Sequence, residues 1–198
     1  MTRVPAPGET QTDADILETP LTDSLVFHGA LIDVTHITVR LPNGKQALRE
    51  VVRHRGAAAV VPVDEQGMVT LVRQHRVVVG QVTLEIPAGK LDHAGEDPLD
   101  CARRELTEET GLVAERVELL TPMVTTPGFC TERVSIYLAT GLTQAAAHLD
   151  DDEFLNVVRM PLREAVTRVM SGELNDGKTA LGLLMAWQRL GLGAVPLA

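Results

Sequence analysis

The sequence predicts an α+β domain, and three features of the chain support this fold class. Short stretches with alternating apolar and polar residues, typical of strands, lie on both sides of a helical segment at 98–110. Two further helical segments follow, at 162–172 and 176–191. Strands around one central helix, with more helices after them, are typical of layered α+β domains. A chain of 198 residues is long enough for one well-packed domain of this kind.

The chain divides into three parts by composition and pattern. Residues 1–20 are rich in Thr, Pro, Asp and Glu, which predicts a flexible tail. Residues 21–55 alternate in polarity around the turn sequence Pro42-Asn43-Gly44, which predicts an N-terminal antiparallel sheet. Residues 56–198 form the main domain. It begins with a second hairpin around Asp64–Gly67, and a later strand ends on Pro87-Ala88-Gly89.

Charge and cysteine content exclude several functional classes. Lys plus Arg number 18 against 27 Asp plus Glu, giving a net charge of -9. This balance argues against nucleic-acid and anionic-membrane partners, which require basic surfaces. The two cysteines form no CxxC pair, and no apolar run has the length of a membrane span or a signal peptide. We therefore expect a cytoplasmic protein.

The stretch from Gly89 to Leu112 is unusually acidic, with seven carboxylates. Asp97 is a favourable N-cap, and Pro98 is suited to the first helical position because it needs no N–H partner there. Gly111 fits the left-handed cap that ends a helix. These signals predict a helix from Pro98 to Thr110.

Three glutamates share one face of this helix. Glu105, Glu108 and Glu109 have the spacing i, i+3 and i+4, which brings their carboxylates close together. An arbitrary glutamate cluster is usually a solvated helix flank. Here, however, two carboxylates oppose the helix dipole, and the preceding Pro-Ala-Gly loop offers backbone carbonyls. Such an oxygen-only set favours Mg²⁺, with Mn²⁺ as the alternative.

The same residues match a known family signature. Glu96 and the run Arg104-Glu105-Leu106-Thr107-Glu108-Glu109-Thr110-Gly111-Leu112 agree with it at every specified position. The chain thus resembles the Nudix hydrolases. One departure occurs: six residues, where the signature has five, separate Gly89 from Glu96, which we interpret as a bulge before the helix.

The resemblance implies a fold and a set of roles. The expected fold is an α/β/α sandwich around a mixed sheet, here with the additional N-terminal sheet. Glu105, Glu108 and Glu109 would bind Mg²⁺ together with the carbonyl of Ala88, and the reaction would be hydrolysis of a diphosphate. The motif positions with expected structural roles are Gly89, Glu96, Arg104, Gly111 and Pro127, with Glu96 pairing to Arg104.

Further stretches resemble one branch of this family. "EIPAGK" before the motif, Pro127 after it and "REVVRHRGAAAVVPV" are similar to ADP-ribose and nucleoside-diphosphate-sugar pyrophosphatases. This implies cleavage of ADP-ribose to AMP and ribose 5-phosphate. Two alternatives stay open: another sugar nucleotide such as GDP-mannose, or a non-catalytic module that senses a ligand.

The resemblance also suggests substrate contacts and an assembly. Arg76 is the candidate for the substrate phosphates and Glu85 for a ribose or base contact, with Arg49 and Arg53 as weaker candidates from the N-terminal sheet. In this branch that sheet commonly crosses to a second subunit, so we expect a homodimer.

The reaction also needs a base to activate water. The acidic loop "HLDDDEF" offers Glu153 as the first candidate and Asp152 as the second. Glu108 is a third catalytic candidate through its place in the motif.

Overall fold

The computed structural model describes residues 13–93, 95–145 and 154–196. These residues form a short 3-10 turn at Asp13–Asp15, ten strands and three α-helices. The strands are β1 Thr19–His28, β2 Asp33–Arg40, β3 Gln46–Arg53, β4 Ala57–Pro62, β5 Met68–Arg76, β6 Gln81–Glu85, β7 Ala88–Lys90, β8 Leu112–Val124, β9 Arg133–Gln144 and β10 Leu155–Pro161. The helices are α1 Pro98–Thr110, α2 Leu162–Met170 and α3 Gly177–Arg189.

The chain separates into two compact units, the first comprising residues 1–54 and 126–131. Strands β1, β2 and β3 make an antiparallel sheet in that order. The turn between β2 and β3 contains Gly44 at φ 83, in the left-handed region that the Asn-Gly pair predicts. Strand β1 is exposed along its whole length, and Thr35 and Val39 of β2 are buried.

The second unit comprises residues 55–125 and 132–198 and contains two sheets. One has four strands in the order β7-β4-β9-β8, in which β4 runs parallel to β9 and the other pairs are antiparallel. The other is antiparallel with the order β10-β5-β6. The first sheet is therefore mixed, as the sequence predicted.

Side chains along β4 alternate between the two faces of the four-stranded sheet, and helices cover both faces. Val60 belongs to an apolar cluster with Ala102 and Leu106 of α1. Val61 belongs to a second cluster that contains residues of α2 and α3. Since successive side chains of a strand point to opposite faces, the two clusters lie on opposite sides of the sheet. The result is an α/β/α arrangement.

One element differs from the sequence prediction. The run Val77–Gly80, for which no prediction was made, forms a hairpin turn between β5 and β6. Ala88–Lys90, predicted as a loop after a strand, forms β7 and pairs with β4. Across the described ranges, no helix has the length and apolar character needed to cross a membrane.

Candidate active site

Helix α1 begins and ends where its capping residues predict. The Asp97 side chain accepts a hydrogen bond from the backbone N–H of Leu99, and Gly111 adopts φ 67 with its N–H bonded to the Thr107 carbonyl. Ala102 and Leu106 are fully or almost fully buried beneath the helix. These contacts fix the rotation of α1 about its own axis, and so fix the direction of its glutamates.

Two of the three glutamates of α1 are buried although they are acidic. Glu105 is 6% exposed and Glu109 is 3% exposed, while Glu108 is partly exposed. The backbone N–H of Ala88 in β7 donates to Oε2 of Glu109 at 3.1 Å. A Cβ on Gly89 would overlap the Glu105 carboxylate, so any larger residue here would require that carboxylate to move. The structure thus brings Ala88, Gly89, Glu105 and Glu109 together.

Arg104 supplies positive charge to this acidic cluster. Its guanidinium donates to Glu105 at 2.7 Å and to Glu108 at 3.1 Å, and lies 3.4 Å from Glu96. Burial alone would lower the pKa of Arg104, but the neighbouring carboxylates, Glu105 foremost, raise it above its ordinary value. Arg104 therefore remains charged and contacts three of the motif's glutamates, where the sequence suggested one.

Glu96 braces the loop that precedes α1. Its Oε2 accepts a hydrogen bond of 2.6 Å from the backbone N–H of Asp92, and its Oε1 faces Arg104. Helix α1 has the bounds predicted for it, so the additional residue between Gly89 and Glu96 precedes the helix.

The donor chemistry of the cluster fits a hard divalent cation. In the part of the chain that the structure describes, no three His, Cys, Asp or Glu side chains are arranged to hold a metal ion as they stand. Glu105 and Glu108 are turned instead to Arg104. The available donors are nevertheless all oxygens, and four carboxylates share this one guanidinium. A cation would offset the excess negative charge.

A second charged group lies at the end of β6, around Glu85. Arg76 donates to both Glu85 oxygens at 2.9 Å, and the hydroxyl of Thr83 lies 2.5 Å from Oε1. Lys178 of α3 forms an ion pair with Oε2 and a further one of 3.0 Å with Asp176. The Glu85 carboxylate is 3% exposed and accepts four hydrogen bonds.

One cavity is lined both by cations of the Glu85 group and by residues of β7. It has a volume of about 430 Å³, and its lining includes Arg76, Ala88, Gly89, Asp176 and Lys178. The backbone beside the α1 carboxylates and the cations around Glu85 therefore face the same space. A ligand in this cavity would meet cationic donors from Arg76 and Lys178 and, elsewhere in the lining, Ala88 and Gly89, which contact the buried carboxylates of Glu109 and Glu105.

Comparison with known proteins shows the family to which the chain belongs. Residues 52–180 match the model of the NUDIX domain family. The chain belongs to the NUDIX family. The prediction of a Nudix hydrolase, made from Glu96 and the run Arg104–Leu112, is confirmed.

Proteins similar in sequence to this NUDIX hydrolase have different functional names. It is 42% identical to an ADP-ribose pyrophosphatase of Bacillus subtilis, over 80% of this chain and 86% of the relative. It is 39% identical to a methanol dehydrogenase activator of Bacillus methanolicus, over the same shares of the two chains. A GDP-mannose pyrophosphatase of Citrobacter koseri is 32% identical over 67% of this chain and 77% of its own.

A solved structure shares the fold. It is described as an ADP compounds hydrolase and matches with a TM-score of 0.77, 24% identity and coverage of 89% of this chain and 96% of the other. At that level of identity the likeness concerns the fold. The predicted α+β Nudix fold is confirmed.

The other predicted site residues of this NUDIX protein lie in the first unit or outside the residues that the structure describes. Arg49 and Arg53 belong to the first unit, where they pair with Glu18 and Asp23. Pro127 also belongs to that unit. The candidate bases Glu153 and Asp152 lie outside the described residues.

Sequence reasoning missed Lys178 and Asp176. Lys178 lies 93 positions after Glu85 in the chain, so no local pattern joins them. The available signal was the sequence Asn-Asp-Gly-Lys-Thr, in which a good N-cap places a lysine in the first turn of a helix. A lysine at that end opposes the helix dipole and is better explained by a carboxylate partner.

Glu85 makes the stability of this NUDIX domain depend on pH. Burial alone would raise the pKa of Glu85, but hydrogen bonds from Arg76 and the charge of Lys178 outweigh it and lower the pKa from 4.5 to about 2. A carboxylate with a lowered pKa stabilises the fold above its unfolded pKa and loses this contribution as the pH falls.

We expect Glu85→Gln to be less stable than wild type at neutral pH, by on the order of 3 kcal/mol. The difference should shrink between about pH 4.5 and about pH 2 as Glu85 becomes protonated. Urea unfolding of both proteins in EDTA across this range would measure it. A difference that stays constant with pH would contradict the assignment.

Proposed function

We propose that this enzyme is a Mg²⁺-dependent pyrophosphohydrolase that cleaves the diphosphate of ADP-ribose to AMP and ribose 5-phosphate. One water is consumed: its oxygen bonds to one phosphorus, and the bridging P–O bond breaks. The observation that carries the proposal is the cavity itself. It places Arg76 and the backbone of Ala88–Gly89, beside the buried Glu105 and Glu109, around one space. The 42% identity to an ADP-ribose pyrophosphatase supports the choice of substrate.

The α1 carboxylates are the proposed cation ligands. Glu105, Glu108 and Glu109, with the carbonyl of Ala88, would hold Mg²⁺, and Mn²⁺ would suit the same oxygens. The bound cation would neutralise the diphosphate and lower the pKa of the attacking water. Arg104 holds Glu105 and Glu108 by charge-assisted hydrogen bonds and so limits the carboxylate repulsion within the cluster.

Arg76 is the proposed contact to the substrate phosphates. It uses Nε and one terminal nitrogen on Glu85, which leaves N–H groups of its guanidinium available to an anion in the cavity. A ribose or base contact by Glu85 would require one of the four hydrogen bonds to its carboxylate to open. Arg49 and Arg53 remain proposals as substrate contacts.

The proposed general base is Glu153, with Asp152 second. We expect Glu153→Gln to lower kcat about 10²–10⁴-fold, the usual contribution of a positioned base, and Asp152→Asn to change it little. The pH dependence of kcat for both variants is the measurement. A loss confined to Asp152→Asn would assign the base to Asp152, and full activity in both variants would exclude both residues as the base.

The first unit is proposed to form a homodimer interface. Leu25, Val26 and Phe27 of β1 are more than half exposed, which is unusual for consecutive large apolar side chains. Light scattering after size exclusion should give twice the chain mass of 21.4 kDa. A mass of one chain at micromolar concentration would contradict the dimer. We also propose that the protein is cytoplasmic. Cys101 and Cys130 are free thiols, which suits a reducing compartment.

The test of function is product analysis of the purified protein with Mg²⁺ on ADP-ribose, GDP-mannose, UDP-glucose, NADH and a capped RNA. AMP formed preferentially from ADP-ribose is the expected result. A preference for GDP-mannose would keep the reaction and replace the substrate. Tight binding of one compound without cleavage of any would favour the ligand-sensing alternative and overturn the proposed activity.

A further inference from the structure

Lys178 has no role in the motif, yet it faces the same cavity as Arg76. Its ammonium group bonds to Oε2 of the buried Glu85, the oxygen that also accepts from Arg76. Two cations therefore share one carboxylate. A buried carboxylate requires a compensating charge, and either cation alone could provide it.

The position of Lys178 is fixed by the start of α3. Asp176 caps the helix by accepting from the N–H of Thr179 at 3.0 Å and from its hydroxyl at 2.6 Å. The fully buried hydroxyl of Thr179 also accepts from the N–H of Ile86 at 3.0 Å, directly after Glu85. The end of β6 and the first turn of α3 are thus bonded together, which keeps Lys178 within reach of Glu85.

The charges of this group decide what Arg76 can offer to an anion. If Arg76 were the only cation beside Glu85, the Arg76–Glu85 pair would have no net charge to offer an anion in the cavity. Lys178 adds one positive charge, and the Asp176 charge that faces Lys178 is partly matched by the positive end of the α3 dipole. With Lys178 present, Glu85 is compensated without Arg76.

We infer that Lys178 is a positioning residue for the reaction: it neutralises Glu85, so that the charge of Arg76 remains available to the substrate diphosphate. The inference rests on the proposed function, since it assumes a diphosphate in this cavity. In this interpretation Glu85 holds Arg76 in place by two hydrogen bonds, an arrangement common between arginine and carboxylates.

Two other roles for Lys178 give different expectations. If Lys178 bound a phosphate directly, its removal would weaken binding whether or not Glu85 carried a charge. If Lys178 contributed only to folding stability, its removal would lower the free energy of unfolding and leave KM unchanged. A double-mutant cycle between Glu85 and Lys178 separates the three roles because it measures their coupling.

The experiment measures kcat and KM for ADP-ribose with wild type, Lys178→Met, Glu85→Gln, the double variant and Lys178→Arg. We expect Lys178→Met to raise KM about tenfold or more, as loss of one partner of a buried charge pair does, with a smaller change in kcat. The double variant should have a KM below that of Lys178→Met and within about threefold of that of Glu85→Gln, because without the Glu85 charge there is nothing left for Lys178 to neutralise. Lys178→Arg should keep KM near that of wild type.

Lys45→Met is the matched control, because Lys45 lies exposed in the β2–β3 turn and its removal changes the net charge equally. Its KM should equal that of wild type. Calorimetric titration of ADP-ribose in EDTA with the same variants gives a second measurement that needs no metal and no turnover. The same order of affinities is expected.

The inference is overturned if the double variant keeps the high KM of Lys178→Met, or if Lys178→Met leaves KM and affinity unchanged. Failure of the proposed function is a different result: wild type would release no AMP from ADP-ribose. In that case the order of affinities in EDTA still decides the role of Lys178.

Discussion

Glu109→Gln is expected to reduce AMP formation by more than about 100-fold at saturating Mg²⁺. Residues that only support metal ligands contribute about 10–100-fold to activity, so loss of a ligand itself should exceed that range. Glutamine has the same shape and can still accept the hydrogen bond that Ala88 donates to Glu109, so the fold should persist. The measurement is kcat with Mg²⁺, together with the urea midpoint of each protein.

The control for Glu109→Gln is Glu65→Gln, the same chemical change at an exposed position in the β4–β5 turn. It should leave kcat within a factor of two of wild type, an order-of-magnitude expectation for a surface site. If Glu109→Gln retained more than about a tenth of the wild-type kcat, Glu109 would not be a ligand for an essential cation.

Gly89→Ala is expected to reduce activity about 10–100-fold, because it displaces a proposed ligand without altering its chemistry. The added Cβ would overlap the Glu105 carboxylate, a side chain that Arg104 and its burial hold in place. Overpacking of this kind also costs about 1–3 kcal/mol in the free energy of unfolding. Steady-state kinetics and urea unfolding would measure the two effects.

Gly128→Ala provides the comparison for Gly89→Ala, since a Cβ at Gly128 meets no atom within 4 Å and its φ is not positive. It should be close to wild type in both measurements. Unchanged kcat in Gly89→Ala would show that the Glu105 carboxylate can move away from β7 without loss, which would contradict its assignment as a ligand.

The parts of this structure that the sequence predicted are those determined by local signals. The bounds of α1 follow from Asp97, Pro98 and Gly111. The i, i+3, i+4 spacing of its three glutamates predicts that they share one face of the helix. The turn at Gly44 follows from its Asn-Gly pair. In each case the residues that decide the conformation are adjacent in the chain.

The parts that escaped prediction depend on partners far apart in the chain. Ala88–Lys90 forms a strand because it pairs with the edge of β4. A segment of three residues is too short to show a strand pattern of its own. The ion pair between Lys178 and Glu85 joins residues 93 positions apart. The multiple partners of Arg104 depend on how the loop before α1 folds back over the helix.

The bond between the first turn of α3 and the end of β6 has a consequence for synthesis of the chain. A ribosome makes Glu85 long before Lys178, so the growing chain carries this carboxylate with Arg76 as its first cationic partner. The cavity acquires its full lining only when Asp176 and Lys178 have emerged. The pocket is therefore completed only well after the acidic helix has been made.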